Sequence, residues 1–297
     1  MTPAPDILCI GSFLWDIIGR APVHMRAGAD VPGRITRAPG GVAMNIAMTL
    51  ARFGLRPAVL SSIGRDSEGA ELVAACERMG LICDYLYRSD DLPTDVYMAV
   101  EGANGLIAAI ADAHSLEAVG DKILRPLADG RFGSESAPWA GPIALDGNLT
   151  EALLADIAAS PLFAAADLRV APASPGKAER LLPLLTHPGV TLYVNLEEAG
   201  LLCQTSFDSA PNAAAGLLAR GAHRVLVTNG GQVAADGAPE GVIEGCPAAV
   251  MVTRVTGAGD TFMAAHLVAE RRGAARPEAL AAALAAAARY VSGEGVE

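Results

Sequence analysis

Near the end of the chain, Val255-Thr256-Gly257-Ala258-Gly259-Asp260-Thr261-Phe262 sets small residues, one carboxylate and the start of an apolar helix side by side. Gly257 and Gly259 lack a Cβ, so the backbone there can come close to a ligand. The first N–H groups of a helix have no internal acceptor and can cradle an anion. Asp260 then sits within reach of whatever that anion is about to react with. A cradle beside a carboxylate suits phosphoryl transfer to a substrate hydroxyl: the amides take the charge of the moving group and the carboxylate takes the proton. An unperturbed Asp titrates near ~3.9 and is a weak base. Positioning and charge stabilisation must therefore carry most of the acceleration. The competing reading is a tight turn that only packs a helix on a sheet.

The elements that must position this turn are legible around it. Ile7-Leu8-Cys9-Ile10 is a short apolar run ending at Gly11, which reads as a buried strand. Gly40-Gly41 opens a helix over 42–53 that Gly54 closes. A strand over 57–63, an amphipathic helix over 67–79 and a short strand over 84–88 follow. Residues 19–39 lack a period and read as a loop or a partly exposed strand pair. Runs over 94–101 and 106–111 flank Ala103-Asn104-Gly105, a strong hairpin signal. Such a hairpin inserted over an α/β core would behave as a lid. From Pro142 the pattern is regular, with strands over 142–145, 168–171, 191–194 and 224–228. Helices are expected over 150–159, 177–185, 210–220, 258–271 and 277–291. This alternation predicts an α/β fold with a parallel sheet covered by helices on both faces.

The 297 residues are 52% hydrophobic, enough for a large core, and carry a net charge of −11. That charge argues against nucleic acid or an anionic membrane as main partner, since both require a basic face. The five cysteines, Cys9, Cys76, Cys83, Cys203 and Cys246, are scattered with no C-x-x-C pair. They read as buried free thiols rather than a zinc site or disulfide framework. There is no signal-peptide pattern, and the Ala-rich run over 279–288 is too short to span a bilayer, so a soluble cytoplasmic protein is expected. No G-x-G-x-x-G follows the first strand and no Walker A loop is present, which disfavours a dinucleotide oxidoreductase and a P-loop enzyme.

Two separated motifs carry a resemblance. Gly40-Gly41-Val42-Ala43-Met44-Asn45, followed by Ser62-Ile63-Gly64-Arg65-Asp66, precedes the Thr256-Gly257-Ala258-Gly259-Asp260 stretch, with the hairpin between them. In this order the chain resembles the ribokinase-like (PfkB) sugar and nucleoside kinases over nearly its whole length. The resemblance implies a single domain over 1–297, a three-layer α/β/α sandwich with a mostly parallel sheet and a small β lid from segments near 14–38 and 92–112. It also implies ATP and Mg2+ as cofactors. Asp260 resembles the catalytic base, with Gly257, Ala258 and Gly259 as the anion hole. Asp16, Gly40, Gly41 and Asn45 resemble the acceptor site. Asn195 and Glu198 match an N-x-x-E motif that organises magnesium and phosphate, with Glu198 as the metal-side carboxylate. Thr228, Gly230 and Thr256 resemble nucleotide contacts. The bland alternatives are turn or cap roles for Asp16 and Asn45, a solvated cap for Glu198 and an ordinary turn at 228–230. His266, on the apolar helix, reads as a packing residue.

The chain also departs from that pattern. Arg254 stands where ribokinases carry an Asp of a monovalent-cation site, so potassium activation is doubtful. Val233 replaces a further glycine of the nucleotide loop. The Gly-Val-Ala-Met-Asn form of the first motif, Ile110-Ala111-Asp112, Asp146-Gly147-Asn148-Leu149 and Pro172-Ala173-Ser174 with Lys177 are similar to the pseudouridine kinase subgroup. Asp112 and Asn148 then become candidate contacts to ribose or base, against cap or turn roles. The expected activity is phosphorylation of the 5′-hydroxyl of pseudouridine or a related nucleoside. A free-sugar kinase and a non-catalytic sugar or nucleotide sensor are the alternatives, and a homodimer through lid strands is an expected assembly.

Overall fold

The computed structural model describes residues 4–294. In chain order the strands are β1 Ile7–Ile10, β2 Leu14–Arg20, β3 Arg34–Gly40, β4 Pro57–Leu60, β5 Ser62–Gly64, β6 Tyr87–Ser89, β7 Val96–Gly102, β8 Gly105–Asp112, β9 Pro142–Asp146, β10 Asp167–Ala171, β11 Val190–Asn195, β12 Arg224–Thr228, β13 Ala234–Ala238 and β14 Gly241–Gly245. The α-helices are α1 Val42–Arg52, α2 Ser67–Arg78, α3 His114–Val119, α4 Arg125–Ala128, α5 Glu151–Ala159, α6 Leu196–Cys203, α7 Ala210–Ala219, α8 Ala258–Arg271 and α9 Arg276–Ser292.

An eight-stranded sheet runs in the order β14-β13-β12-β11-β10-β9-β1-β4, parallel from β4 to β12. Its strands are apolar on both faces, which is why they read as continuous runs rather than alternating ones. Ile7 and Cys9 face a layer containing α1, α8 and α9, whereas Leu8 and Ile10 face the layer of α3, α5, α6 and α7. The result is a three-layer α/β/α sandwich.

A second, four-stranded sheet in the order β3-β2-β7-β8 stands apart from the first. Residues 19–39, open between loop and strand pair in the sequence, form the β2–β3 pair with the connection between them. The expected β7–β8 hairpin is present, but it turns through Ala103-Asn104, with Gly102 opposite Gly105 as the first pair of the ladder. Trp15 fixes this sheet to the body: its Nε1 donates to the Glu68 carbonyl at 2.9 Å, and the Arg37 guanidinium lies 3.9 Å over its ring.

Some expectations need correction. The run over 57–63 is two strands broken at Ser61, because β5 leaves the main sheet to pair with β6. The stretch expected as a helix over 177–185 is a 3-10 helix, Pro175–Leu184, where Pro183 removes a backbone donor. Strands β13 and β14 continue the main sheet antiparallel; the former, Ala-Ala-Asp-Gly-Ala, has no β-branched residue to announce it. Cys9, Cys76 and Cys83 are buried as expected, but Cys246 is exposed.

Candidate active site

Parallel strands place their carboxyl ends on one edge of the sheet, and a crevice there is the usual ligand site of such folds. Here that edge gathers Ser12 just after β1, Asp146 ending β9, Asn195 ending β11 and Thr228 ending β12. Helix α8 starts with Gly257 as its N-cap at φ +88°, a left-handed conformation that favours glycine. The Ala258 N–H is bonded to the Val255 carbonyl at 3.0 Å. Among the described residues the N–H groups of Gly257, Gly259 and Asp260 have no protein acceptor. A Cβ built on Gly259 would meet nothing within 4 Å, so this turn opens onto free space.

Asp260 is half-buried in the first turn of α8, and its Oδ2 accepts the Asn45 Nδ2 at 2.9 Å across 215 residues of sequence. Burial pushes its carboxyl up to about 7; the Asn45 hydrogen bond opposes this, and the charges of Asp146, Asp16 and Glu198 add to it. Asp146, Asp16 and Glu198 are thus near enough for their charges to act on Asp260.

The entry to α1 is built differently. The Ser12 hydroxyl accepts the Val42 N–H at 2.9 Å, the Ser12 carbonyl accepts the Met44 N–H at 3.3 Å, and Asp146 Oδ2 accepts the Ala43 N–H at 3.4 Å. These amides are already satisfied, so α1 does not offer the anion site that α8 offers. Gly41 must be glycine at φ +97°, with the Ser12 carbonyl 2.5 Å from where a Cβ would sit. Asp146, wholly buried, also takes hydrogen bonds from the Ser12 N–H and hydroxyl and from the Asn148 N–H. Asn148 is drawn into this network through both ends of its amide: Nδ2 donates to Ser12 and Asp146, and Oδ1 accepts Lys177 Nζ at 2.5 Å. On β2, Asp16 lies against Gly40, and burial pushes its carboxyl up to about 6.

On the far side, Asn195 and Glu198 form a reciprocal cap on α6. Asn195 Oδ1 accepts the Glu198 N–H at 2.9 Å and Glu198 Oε2 accepts the Asn195 N–H at 2.8 Å. The cap expected as solvated is buried: Glu198 is 7% exposed. Burial pushes its carboxyl up to about 7, the Asn195 amide opposing and Glu197 adding. Asn195 and Thr228 are register neighbours on β11 and β12. With Gly230, Gln204 and Phe207 they line a cavity of about 890 Å3. Glu198, Thr256, Asp260, Asn45 and Asp16 are not in its wall, so the cavity and the carboxylates do not coincide.

Asp112 falls outside this gathering. It ends the exposed strand β8 and bonds His114 Nδ1 at 2.8 Å, which holds its carboxyl below the usual range. Thr256 is exposed, and its carbonyl accepts the Tyr290 hydroxyl at 2.8 Å. His266 is a packing residue, wholly buried with Nδ1 on the Tyr193 hydroxyl at 2.8 Å; burial pushes it down to about 4. Sequence reading missed Ser12, Asp146 and Tyr290 as structural partners of the site. Only the Gly-Ser step after β1 and the Asp-Gly step after β9 hinted at the first two.

A parallel α/β/α sandwich that sets a half-buried carboxylate beside the free amides of a helix start, next to a small separate sheet, is the architecture of the ribokinase-like kinases. The chain belongs to the family described as pfkB family carbohydrate kinase, which it matches over residues 4–297. It is accordingly an ATP-dependent kinase of the sugar and nucleoside class. It is 29% identical to the pseudouridine kinase of Escherichia coli K12 over 271 residues, covering 87% of this chain and 81% of that one. It is 26% identical to the fructoselysine 6-kinase of Shigella flexneri over 274 residues, covering 86% and 90%. The Arabidopsis thaliana ribokinase solved with ribose and ATP superposes with a TM-score of 0.78 over 99% of this chain and 95% of that one, at 21% identity. Among the described residues, no helix is long and apolar enough to cross a membrane.

Proposed function

We propose that the chain transfers the γ-phosphoryl group of ATP to the 5′-hydroxyl of pseudouridine, giving pseudouridine 5′-phosphate. The observation that carries the catalytic part is the Asn45–Asp260 hydrogen bond, which joins the two motifs at one carboxylate. Asn45 holds Oδ2, and Oδ1 has no protein donor among the described residues. Oδ1 accepts the proton of the acceptor hydroxyl. The hydroxyl oxygen forms the new bond to the γ-phosphorus, the bond from that phosphorus to the β–γ bridging oxygen breaks, and ADP leaves with that electron pair. The amides of Gly257, Gly259 and Asp260 take the charge of the phosphoryl in flight, while Asp16 and the Gly40-Gly41 backbone bind the sugar hydroxyls.

Among the described residues no group of three or more His, Cys, Asp or Glu side chains is placed to hold a metal ion. Magnesium arriving with the nucleotide fits this, since it keeps several waters and takes phosphate oxygens. Bound, it would neutralise phosphate charge. Glu198 is the carboxylate that would hold it, with Asn195, Thr228, Gly230 and Thr256 along the nucleotide. The small sheet serves as the lid that excludes water. Its outer strands β3 and β8, with Ile35 and Ile110 exposed, support pairing between two copies.

The similarity to fructoselysine 6-kinase keeps a sugar rather than a nucleoside acceptor as the second reading. ADP release measured with pseudouridine, uridine, ribose, adenosine and fructose tests the choice. Pseudouridine should give the highest kcat/KM; a preference for a free sugar overturns the nucleoside assignment, and no ADP from any acceptor favours a sensor.

A further inference from the structure

We propose that Tyr290 and Arg254 are positioning residues for phosphoryl transfer, fixing the Thr256–Gly257 peptide so that its amide is aimed at the transferred group. The inference rests on reading this turn as the phosphoryl cradle.

The argument starts from the peptide plane. In a trans peptide the carbonyl and the following N–H point in opposite directions and cannot turn independently. The Tyr290 hydroxyl donates to the Thr256 carbonyl at 2.8 Å. It therefore also aims the Gly257 N–H, which has no protein acceptor among the described residues. The same hydroxyl supports the turn from below: a Cβ on Gly257 would lie 2.5 Å from it. One phenol thus sets both the direction of the amide and the closeness of the backbone.

Arg254 holds that phenol. Its guanidinium lies 3.8 Å from the Tyr290 ring centroid, and its Nε donates to the Tyr290 carbonyl at 2.7 Å. A cation over an aromatic face is attracted by the ring quadrupole. The segment before the turn is also tied to the end of α9, with Thr253 N–H on the Val291 carbonyl at 2.8 Å. Residues 253–256 are thereby clamped to the last helix. Tyr290 is close enough to Asp260 for that carboxylate to add to the rise that burial gives its phenol.

The test is steady-state kinetics on Tyr290→Phe, Arg254→Lys and Arg254→Ala, with Asp260→Asn alongside. Tyr290→Phe keeps the ring but loses the hydroxyl; kcat should fall roughly tenfold to a hundredfold, less than deletion of a donor outright. Acceptor KM and thermal midpoint should stay near wild type, which a merely structural role would not give. Arg254→Lys should retain more turnover than Arg254→Ala. Wild-type turnover by Tyr290→Phe overturns the inference. If Asp260→Asn is inactive while Tyr290→Phe is unimpaired, only the positioning role fails; if Asp260→Asn also turns over, the reading of the turn itself fails.

Discussion

Gly40 and Asp16 occupy the same space: a methyl group on Gly40 would lie 2.1 Å from the Asp16 carboxyl carbon. The glycine lets the end of β3 pass directly beneath that carboxylate on β2. Gly40→Ala should therefore displace Asp16 and raise the acceptor KM about as far as Asp16→Ala does, with ATP KM changed little in both. Steady-state kinetics with each substrate varied in turn checks this. An equal loss for both substrates would mean a damaged fold instead.

Asp260→Asn keeps the size of the side chain but removes the proton acceptor. Turnover should fall by roughly 10²–10⁴-fold, the range for loss of a general base. Nucleotide binding, followed by calorimetry, should largely survive. Wild-type turnover in a folded variant would remove Asp260 from the mechanism.

The raised carboxyls make stability and activity run oppositely with pH. Burial raises Asp260 from 3.8 and Glu198 from 4.5 to about 7, and Asp16 from 3.8 to about 6. When the folded pKa lies above the unfolded one, the stability contribution is complete below the unfolded value and is lost as pH rises through the folded value. The ligand-free protein should lose thermal stability on this account between about pH 4 and pH 7. Asp260→Asn should flatten part of that fall in a series of melting curves. Activity needs the ionised base, so kcat/KM should climb over the upper part of this window to a plateau. Its apparent pKa belongs to the coupled carboxylates rather than to Asp260 alone.

Asn195 offers a way to separate capping from nucleotide binding. Its Oδ1 caps α6, and its Nδ2 has no protein acceptor among the described residues. Asn195→Asp keeps an equally good cap, loses the donor and adds a negative charge. The melting temperature should hold while ATP KM rises several-fold. Asn195→Ala should cost about 1 kcal/mol of stability by denaturant titration.

Much of this architecture was legible along the chain because its causes are local. Apolar runs such as Ile7–Ile10 declare strands buried on both faces. Asp66 and Thr150 announce helix starts by capping them within three residues. Strand β13 was silent because small residues lack the shape preference that marks a strand. Helix α6 was missed although its capping box was seen, because it is only eight residues long.

The chemistry at the site divides the same way. The glycines and Asp260 stand together in sequence, so their type and spacing alone pointed to an anion cradle with a carboxylate. Tertiary structure decided which helix start keeps its amides free: Ser12 and Asp146 satisfy those of α1, whereas among the described residues no side chain accepts from the first amides of α8. It also tied Asn148 into the Asp146 network, left Asp112 on the exposed strand β8, and drew Asn45 onto Asp260. The pKa of about 7 at Asp260 follows from burial and converging charge, which arise only when residues distant in the chain are packed against one another.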